Sequence, residues 1–153
     1  MKIEERIEEL GLTLPSAPSP MANYVTCRRT DNLLFFSGAG AFQEGKPVVF
    51  GKVGGELTPE EGYDAARLTG LNLIAQLKKE IGDLDKVTQF VKVQAFVAST
   101  PDFQAQPAVM NGVSDLFVEV FGEKGKHART AVAVPQLPFN IPIEVEMIVE
   151  VED

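Results

Sequence analysis

Apolar residues recur at three- and four-residue spacing in three stretches of the chain, and this spacing predicts amphipathic helices. The first stretch covers residues 2–10 and the third covers residues 106–120. The second covers residues 59–81, and a capping box marks its beginning, with Thr58 as the N-cap and Glu61 three positions later. Three helices are therefore expected.

Other stretches alternate apolar and polar residues and are rich in β-branched side chains, a pattern that predicts strands. Residues 14–20 contain three prolines and predict an ordered loop. The order of elements, with strands and helices interspersed, is typical of an α+β domain whose helices cover one face of a sheet. The predicted strands are residues 22–29, 33–37, 46–50, 87–97, 130–134 and 143–151.

Size and charge narrow the functional classes. With 153 residues, 44% of them hydrophobic, the chain predicts one domain over residues 1–153, in which residues 1–20 form an N-terminal helix and a proline-rich extension. The net charge of -8 opposes binding to nucleic acid. The single cysteine, Cys27, favours a reducing cytoplasmic location. Because no long apolar run is present, neither a secretory signal nor contact with a membrane is expected.

Few residues offer the usual catalytic chemistry. One histidine and one cysteine are too few for the common zinc sites, and the carboxylates follow no calcium-loop pattern, so no metal is expected. His127 follows a turn rich in lysine and glycine, which favours a solvated structural role over that of a catalytic base. The glycine clusters at 37–40 and 51–55 lack the ending of a phosphate-binding loop and are expected to lie in turns and bulges.

Arg129 and Glu144 each allow two interpretations. Arg129 opens the apolar segment TAVAV, where its guanidinium either caps a sheet edge in water or binds the carboxylate of a ligand. Every second residue of 143–151 is apolar, so the exposed face of a strand is enough to explain Glu144. The residues alone leave both alternatives open.

Three segments resemble the YjgF/RidA family, and the similarity runs from Tyr24 to Val151. The resemblance implies a chorismate-mutase-like α+β fold, with a mixed sheet covered on one face by two main helices, and a homotrimer with clefts between its subunits. It also implies hydrolysis of reactive enamines and imines to 2-oxo acids and ammonia, without a cofactor. The segments are ARTAVAVPQLPFNIPIEVE at 128–146, LLFFSG at 33–38 and LDKVTQFVKVQAFV at 84–97.

The resemblance also implies which residues form the site. Arg129 matches the family's arginine that binds the ligand carboxylate, and Glu144 matches the glutamate fifteen positions later. Substrate-binding residues are thus expected at Arg129, Asn111, Ser37 and Gly38, and catalytic residues at Glu144 and Tyr24.

Some positions depart from the family pattern. Ala39 stands where the family often has glutamine, and Ala131 stands where several members have cysteine. The N-terminal helix and the segment GYDAARLTGLNLIAQL resemble a longer subgroup, which is also described as endoribonuclease L-PSP-like.

A hairpin of residues 129–134 and 143–148 around the turn QLPFNIP would place Arg129 about 13 Å from Glu144, at ~3.4 Å per residue. One hairpin could not clamp a small molecule with both groups. This geometry fits a cleft completed by a neighbouring subunit, and the resemblance implies a small carboxylated metabolite as its ligand and a homotrimer as the functional unit.

Deaminase-like hydrolysis of small 2-imino acids is the function that this combination favours, as a hydrolase that needs no metal or cofactor. Arg129 would hold the carboxylate, while Glu144 and Tyr24 would orient water and transfer protons. One alternative is a non-catalytic trimer that binds small metabolites, and another is an endoribonuclease or translation inhibitor, which the charge of -8 opposes. Chorismate mutation is a third, suggested by the fold alone.

Overall fold

The computed structural model of the protein describes residues 2–153. All three predicted helices are present, and α2 has the predicted bounds. Three short 3-10 helices, Leu84–Lys86, Gly122–Gly125 and Pro138–Asn140, connect the main elements. These elements are α1 (Lys2–Glu9), β1 (Cys27–Thr30), β2 (Leu33–Phe36), β3 (Phe42–Gln43), β4 (Lys46–Pro47), α2 (Pro59–Ile81), β5 (Val87–Ala98), α3 (Gln106–Phe121), β6 (Ala128–Val134) and β7 (Ile143–Val151).

Five of the strands form one mixed sheet in the order β1-β2-β7-β5-β6. β5 and β6 run parallel to each other, and the remaining neighbours are antiparallel. β3 and β4 form a separate short ribbon. The predicted α+β class, with its mixed sheet, is therefore confirmed.

Two strands are shorter than the sequence predicts. The segment 22–29 is strand only from Cys27 onward, and residues 21–24 form bends. The predicted strand 46–50 is reduced to Lys46–Pro47.

β6 and β7 do not pair, so the expected hairpin of 129–134 with 143–148 is wrong. β5 lies between them, and Val93 of β5 is in register with Arg129 on one side and with Met147 on the other. A parallel pair such as β5 and β6 needs a long crossover, and α3 provides it. Both C-terminal strands therefore pair with the central strand and not with each other.

The helices α2 and α3 pack on one face of the sheet, and the core lies between the two layers. The capping box begins α2 as predicted: Thr58 Oγ1 accepts from the Glu61 amide at 3.1 Å, and Glu61 Oε1 accepts from the Thr58 amide at 3.1 Å. Within residues 2–153, no helix combines the length and apolarity needed to cross a membrane. Core residues of β7 are Ile143, Val145, Met147, Val149 and Val151.

The N-terminal helix α1 is fixed to the segment that leads into β5. The carboxylate of Asp85 accepts hydrogen bonds from the backbone amides of Lys2 and Ile3, each at 2.9 Å. In return, Glu4 Oε1 accepts from the backbone amide of Leu84 at 3.1 Å. These bonds satisfy amides that the first turn of a helix leaves unpaired.

The two long helices lie close together at Gly112. A methyl group at this position would lie 2.2 Å from the carbonyl oxygen of Tyr63 and 3.0 Å from the amide nitrogen of Arg67. Beside it, the Tyr63 hydroxyl donates to Asp115 at 2.6 Å, and Arg67 pairs with Glu119 at 2.9 Å. Glycine at 112 therefore sets the distance between the helices.

We expect Gly112→Ala to lower the free energy of unfolding by about 1–3 kcal/mol, because the added methyl group overpacks the helix interface. The sign is diagnostic, since the same substitution at an uncrowded helical position stabilises by roughly 0.4–1 kcal/mol. Urea unfolding followed by circular dichroism measures the difference. Lys79→Ala, on the exposed side of α2, is the control and should change stability by less than about 0.5 kcal/mol. An unchanged or higher stability of Gly112→Ala would contradict the close contact.

Candidate active site in two halves

The predicted site residues lie on both faces of the sheet. Side chains alternate between faces along a strand, so the burial of Ile143 and Val145 against the helices turns Glu144 to the opposite face, which no helix covers. Arg129 points toward α3, where it forms hydrogen bonds. Arg129 and Glu144 are therefore separated by the sheet itself.

One half of the site, which we call the glutamate pocket, is a cavity of about 160 Å³ beside the end of β2. Ser37 fixes the chain that forms one side of it, because its hydroxyl donates to the carbonyl of Val25 at 2.7 Å. Half of Tyr24 is exposed at the mouth of the pocket, and its hydroxyl accepts from the amide of Met21 at 3.5 Å. The predicted residues Tyr24, Ser37, Gly38 and Glu144 all line this cavity.

Gly38 makes room for the Glu144 carboxyl group. A methyl group at position 38 would lie 3.0 Å from both the carboxyl carbon and Oε1 of Glu144. This is tighter than ordinary van der Waals contact. A glycine here lets the carboxyl group lie against the backbone inside the pocket.

The pKa of the Glu144 carboxyl group is shifted by its surroundings. Burial raises its pKa above the ordinary value of 4.5, and the negative charge of Glu146 raises it further. A raised pKa moves a carboxylate toward the pH range in which it can both accept and return a proton. Glu144 is partly buried on the strand face that carries it.

The rest of the pocket wall is mostly apolar. Phe139 has a φ of 61° and Asn140 a φ of 59°, a left-handed conformation that is uncommon for residues other than glycine. Two of the hydrogen bonds that hold the turn around Phe139 involve Asn140. Gly51 donates its amide to the Asn140 carbonyl at 2.9 Å, and Gln136 Nε2 donates to Asn140 Oδ1 at 3.1 Å. The apolar wall consists of Met21, Phe42, Pro138, Phe139 and Ile141.

Sequence reasoning missed Gln76, which also lines the glutamate pocket. Its side chain is 6% exposed, and its Oε1 has no hydrogen-bond partner among the residues that the structure describes. Gln76 follows Leu73 and Ile74 within the buried face of α2. A polar residue in such an apolar stretch is the signal that could have identified it, because a buried amide without a partner is costly.

The other half of the site, which we call the arginine cluster, lies where α3 meets the start of β6. Arg129 Nη1 donates to Asn111 Oδ1 at 2.9 Å and to Ser114 Oγ at 3.1 Å. The three side chains line an open cavity of about 260 Å³ together with His127. The predicted pairing of Arg129 with Asn111 at one site is thus present, and Ser114 is a member that the sequence did not reveal.

His127 is not the solvated residue that its flanking turn predicts. It is half-buried: its Nε2 lies 2.9 Å from Ser114 Oγ, and its Nδ1 lies 2.7 Å from the carbonyl oxygen of Gly125. Burial lowers the pKa of His127 below its ordinary value of 6.5, and the charge of Arg129 lowers it further. The hydrogen bond to Gly125 opposes that shift without reversing it.

The two halves cannot hold one small molecule within a single chain. Arg129 is in register, through Val93 of β5, with Met147 of β7, which lies two strands away. Glu144 precedes Met147 by three residues. At ~3.3 Å per residue and ~4.8 Å per strand, their Cα atoms are about 14 Å apart, and the side chains point to opposite faces. Within one chain, these two groups do not face a common cavity.

One group of acidic residues within residues 2–153 is compact enough to surround a cation, and it lies at α1, away from both halves of the site. It consists of Glu4, Asp83 and Asp85. Asp85 and Glu4 already accept hydrogen bonds from backbone amides there. These carboxylates serve to attach α1.

Three comparisons show which known proteins this chain is similar to. A family model described as "YjgF/chorismate_mutase-like, putative endoribonuclease" matches residues 4–151. Protein TCP17 of Trypanosoma cruzi is 40% identical over 153 residues, which is 99% of this chain and 96% of that protein. The crystal structure of Atu1372 from Agrobacterium tumefaciens, a protein of unknown function, is 43% identical, covers 99% of this chain and 93% of its own, and has a TM-score of 0.92.

A more distant solved structure holds a ligand. E. coli TdcF with bound serine is 20% identical, covers 92% of this chain and 96% of its own, and has a TM-score of 0.65. At this identity the similarity shows a shared fold alone.

We expect Glu146→Gln to lower the pKa of Glu144, because the substitution removes a like charge from the same face of β7. The carboxylate form of Glu144 would then persist to lower pH. A carbon-detected NMR titration of the glutamate carboxyl groups measures this shift. Glu150→Gln, six positions away, is the matched control and should leave the Glu144 titration unchanged. Identical Glu144 titrations in wild type and Glu146→Gln would show that the two groups do not interact.

Proposed function

The chain belongs to the YjgF/chorismate-mutase-like family, and from this membership and the two halves of its site we propose that it hydrolyses small 2-imino acids and their enamines. The products are a 2-oxo acid and ammonia. The reaction takes place in a cleft where the arginine cluster of one subunit faces the glutamate pocket of its neighbour. The observation that carries the proposal is the separation of Arg129 and Glu144 on opposite faces of one sheet.

The uncovered sheet face supports self-association. Phe35 is 43% exposed and Val132 is 41% exposed, and Ile148 lies beside Phe35 in register. Apolar side chains on an unpartnered sheet face gain free energy when another surface covers them. A cyclic homotrimer would bring unlike faces of neighbouring subunits together and form a cleft at each interface.

Arg129 is prepared to bind a carboxylate along one edge. Both hydrogens of Nη1 are used by Asn111 and Ser114. The edge formed by Nε and Nη2 has no partner among the described residues, and its two parallel N–H groups match the oxygens of a carboxylate. The substrate carboxylate would therefore bind there, which fixes the position of the adjacent imine carbon.

Glu144 supplies the proton transfers. A water molecule attacks the carbon of the protonated imine while the Glu144 carboxylate accepts one proton of the water, and this forms a neutral carbinolamine. Glu144 then donates that proton to the amino nitrogen, and as the carbon–nitrogen bond breaks and ammonia leaves, the carboxylate accepts the hydroxyl proton and the carbonyl forms. The reaction consumes one water and needs neither an oxidant nor a metal.

Other groups in the glutamate pocket would orient the reactants. The Tyr24 hydroxyl lies at the mouth, where it can hold the attacking water. Oε1 of Gln76 is a buried acceptor for a hydrogen on the substrate nitrogen. The apolar wall that includes Phe139 would contact an uncharged substrate side chain.

The central experiment follows the decay of freshly generated 2-iminobutanoate, trapped with semicarbazide, in the presence of the purified protein. We expect wild type to accelerate the decay. Arg129→Lys should lower kcat/KM by about 100-fold, because a lysine cannot present two parallel donors and the substrate is misplaced. Arg29→Lys, whose side chain pairs with Asp153 away from the site, is the matched control and should retain full activity.

Three outcomes decide between functions. Loss of activity in Arg129→Lys alone supports the proposal. No acceleration by wild type, combined with tight binding of a 2-oxo acid, would favour a non-catalytic metabolite-binding protein. Cleavage of RNA that persists in Arg129→Lys would favour the endoribonuclease activity that the family description mentions.

A further inference from the structure

The sole histidine of the chain joins the arginine cluster through a continuous line of hydrogen bonds. The line runs from the Gly125 carbonyl to His127, from His127 to Ser114 and from Ser114 to Arg129. We infer that His127 is a positioning residue, which orients the Ser114 hydroxyl so that its oxygen accepts from Arg129 and fixes the guanidinium edge offered to a substrate carboxylate. This inference rests on the proposed function for the role of Arg129.

The direction of each hydrogen bond follows from what each atom can do. A carbonyl oxygen only accepts, so the Nδ1 of His127 must carry the hydrogen that Gly125 receives. A neutral imidazole has one N–H, so Nε2 is then an acceptor and takes the single hydrogen of the Ser114 hydroxyl. The lone pairs of Ser114 Oγ remain for Arg129 Nη1, which can only donate.

The surroundings keep the imidazole in this orientation. A methyl group at Gly125 would lie 2.1 Å from the carbonyl oxygen of Phe117, so only glycine allows this turn to lie against α3 and to aim its carbonyl at His127. The Phe117 ring meets the imidazole edge-on, with 5.8 Å between ring centres and 78° between ring planes. The imidazole is therefore held both by its hydrogen bond to the Gly125 carbonyl and by its contact with the Phe117 ring.

The neutral form of His127 is the one that this network requires. The charged residues that line the cavity with His127 are Arg129 on β6 and Lys126 beside it in the chain, and Lys126 is paired with Glu123. The residues of α3 that line this cavity, Asn111, Ser114 and Val118, are uncharged, as is Phe117, which contacts the imidazole ring. No carboxylate in the described part of the chain pairs with the imidazole, so its protonation would add a positive charge beside Arg129 and turn the Ser114 hydrogen away from its acceptor.

Ser114 itself is not placed to act as a nucleophile. It lies in the middle of α3, where the surrounding backbone amides are used within the helix and cannot stabilise an oxyanion. Its hydroxyl is used on both sides, as a donor to His127 and as an acceptor from Arg129. Positioning is the role that these contacts support.

Long-range ¹H–¹⁵N NMR at pH 7.5 tests the tautomer directly, because the chain has one histidine and needs no further assignment. We expect a protonated Nδ1 and an unprotonated Nε2, which is the opposite of the tautomer that free histidine prefers. Ser114→Ala should weaken this preference, since it removes the donor to Nε2, and Ser114→Thr should restore it. A wild-type imidazole protonated at Nε2 would overturn the inference.

The effect on the arginine is measured by binding of 2-oxobutanoate, a stable carboxylate with the shape of the proposed product, using calorimetry. His127→Phe keeps a ring against Phe117 but loses both nitrogens, and Ser114→Ala loses the hydroxyl; each should weaken binding about tenfold, the effect of one lost hydrogen bond near a charge. His127→Gln and Ser114→Thr should recover part of the affinity. The melting temperature of each variant is recorded in parallel. If the role were only structural, the loss of affinity across the four variants would follow the loss of melting temperature.

The outcomes also separate this inference from the proposed function. Binding that follows the pattern above, without any imine hydrolysis by wild type, would reject the proposed function and keep the positioning role. Equal affinities in wild type, His127→Phe and Ser114→Ala would overturn the positioning role even if hydrolysis is observed. Absence of 2-oxobutanoate binding to wild type would overturn both.

Discussion

The alternation of side chains along a strand is the constraint on which the proposed site depends. It places Glu144 on the uncovered face of the sheet while Arg129 points to the helices, and β5 between their strands prevents any direct approach. A change of pairing by one residue would exchange the two faces, but β7 carries five core residues on its other face, so its register is strongly fixed. The stability of the fold and the division of the site therefore have the same origin.

Local patterns in the sequence were enough to predict the helices and most strands. The beginning of α2 is encoded by contacts among neighbouring residues, Thr58 and Glu61, and these contacts are present. The pairing of β6 was not predictable in this way, because nothing within residues 128–134 distinguishes a parallel partner reached through α3 from an antiparallel one reached through a short turn. The assumed hairpin was wrong for this reason, although it led to the same conclusion that one chain cannot complete the site.

The site residues were predictable only as far as the resemblance to a family extends. The resemblance assigned Arg129, Asn111 and Glu144 to the site, and the structure adds the contacts that hold them. Gly38 admits the Glu144 carboxyl group, and Ser114 and His127 orient the guanidinium. Such supporting contacts join residues from separate elements, so no local pattern announces them. For the imine hydrolysis that we propose, one arginine and one glutamate with a raised pKa would suffice.

The claim that two chains complete each site is tested most directly by mixing two inactive variants. Arg129→Ala and Glu144→Gln would be produced together with different affinity tags, and mixed oligomers would be purified and assayed for imine hydrolysis. Each variant alone should be inactive. If each site combines groups from neighbouring subunits, one of the three sites in every purified mixed trimer, or about a third, should have an intact arginine cluster facing an intact glutamate pocket. Mixed oligomers as inactive as either parent would show that both groups must come from one chain and would contradict the account.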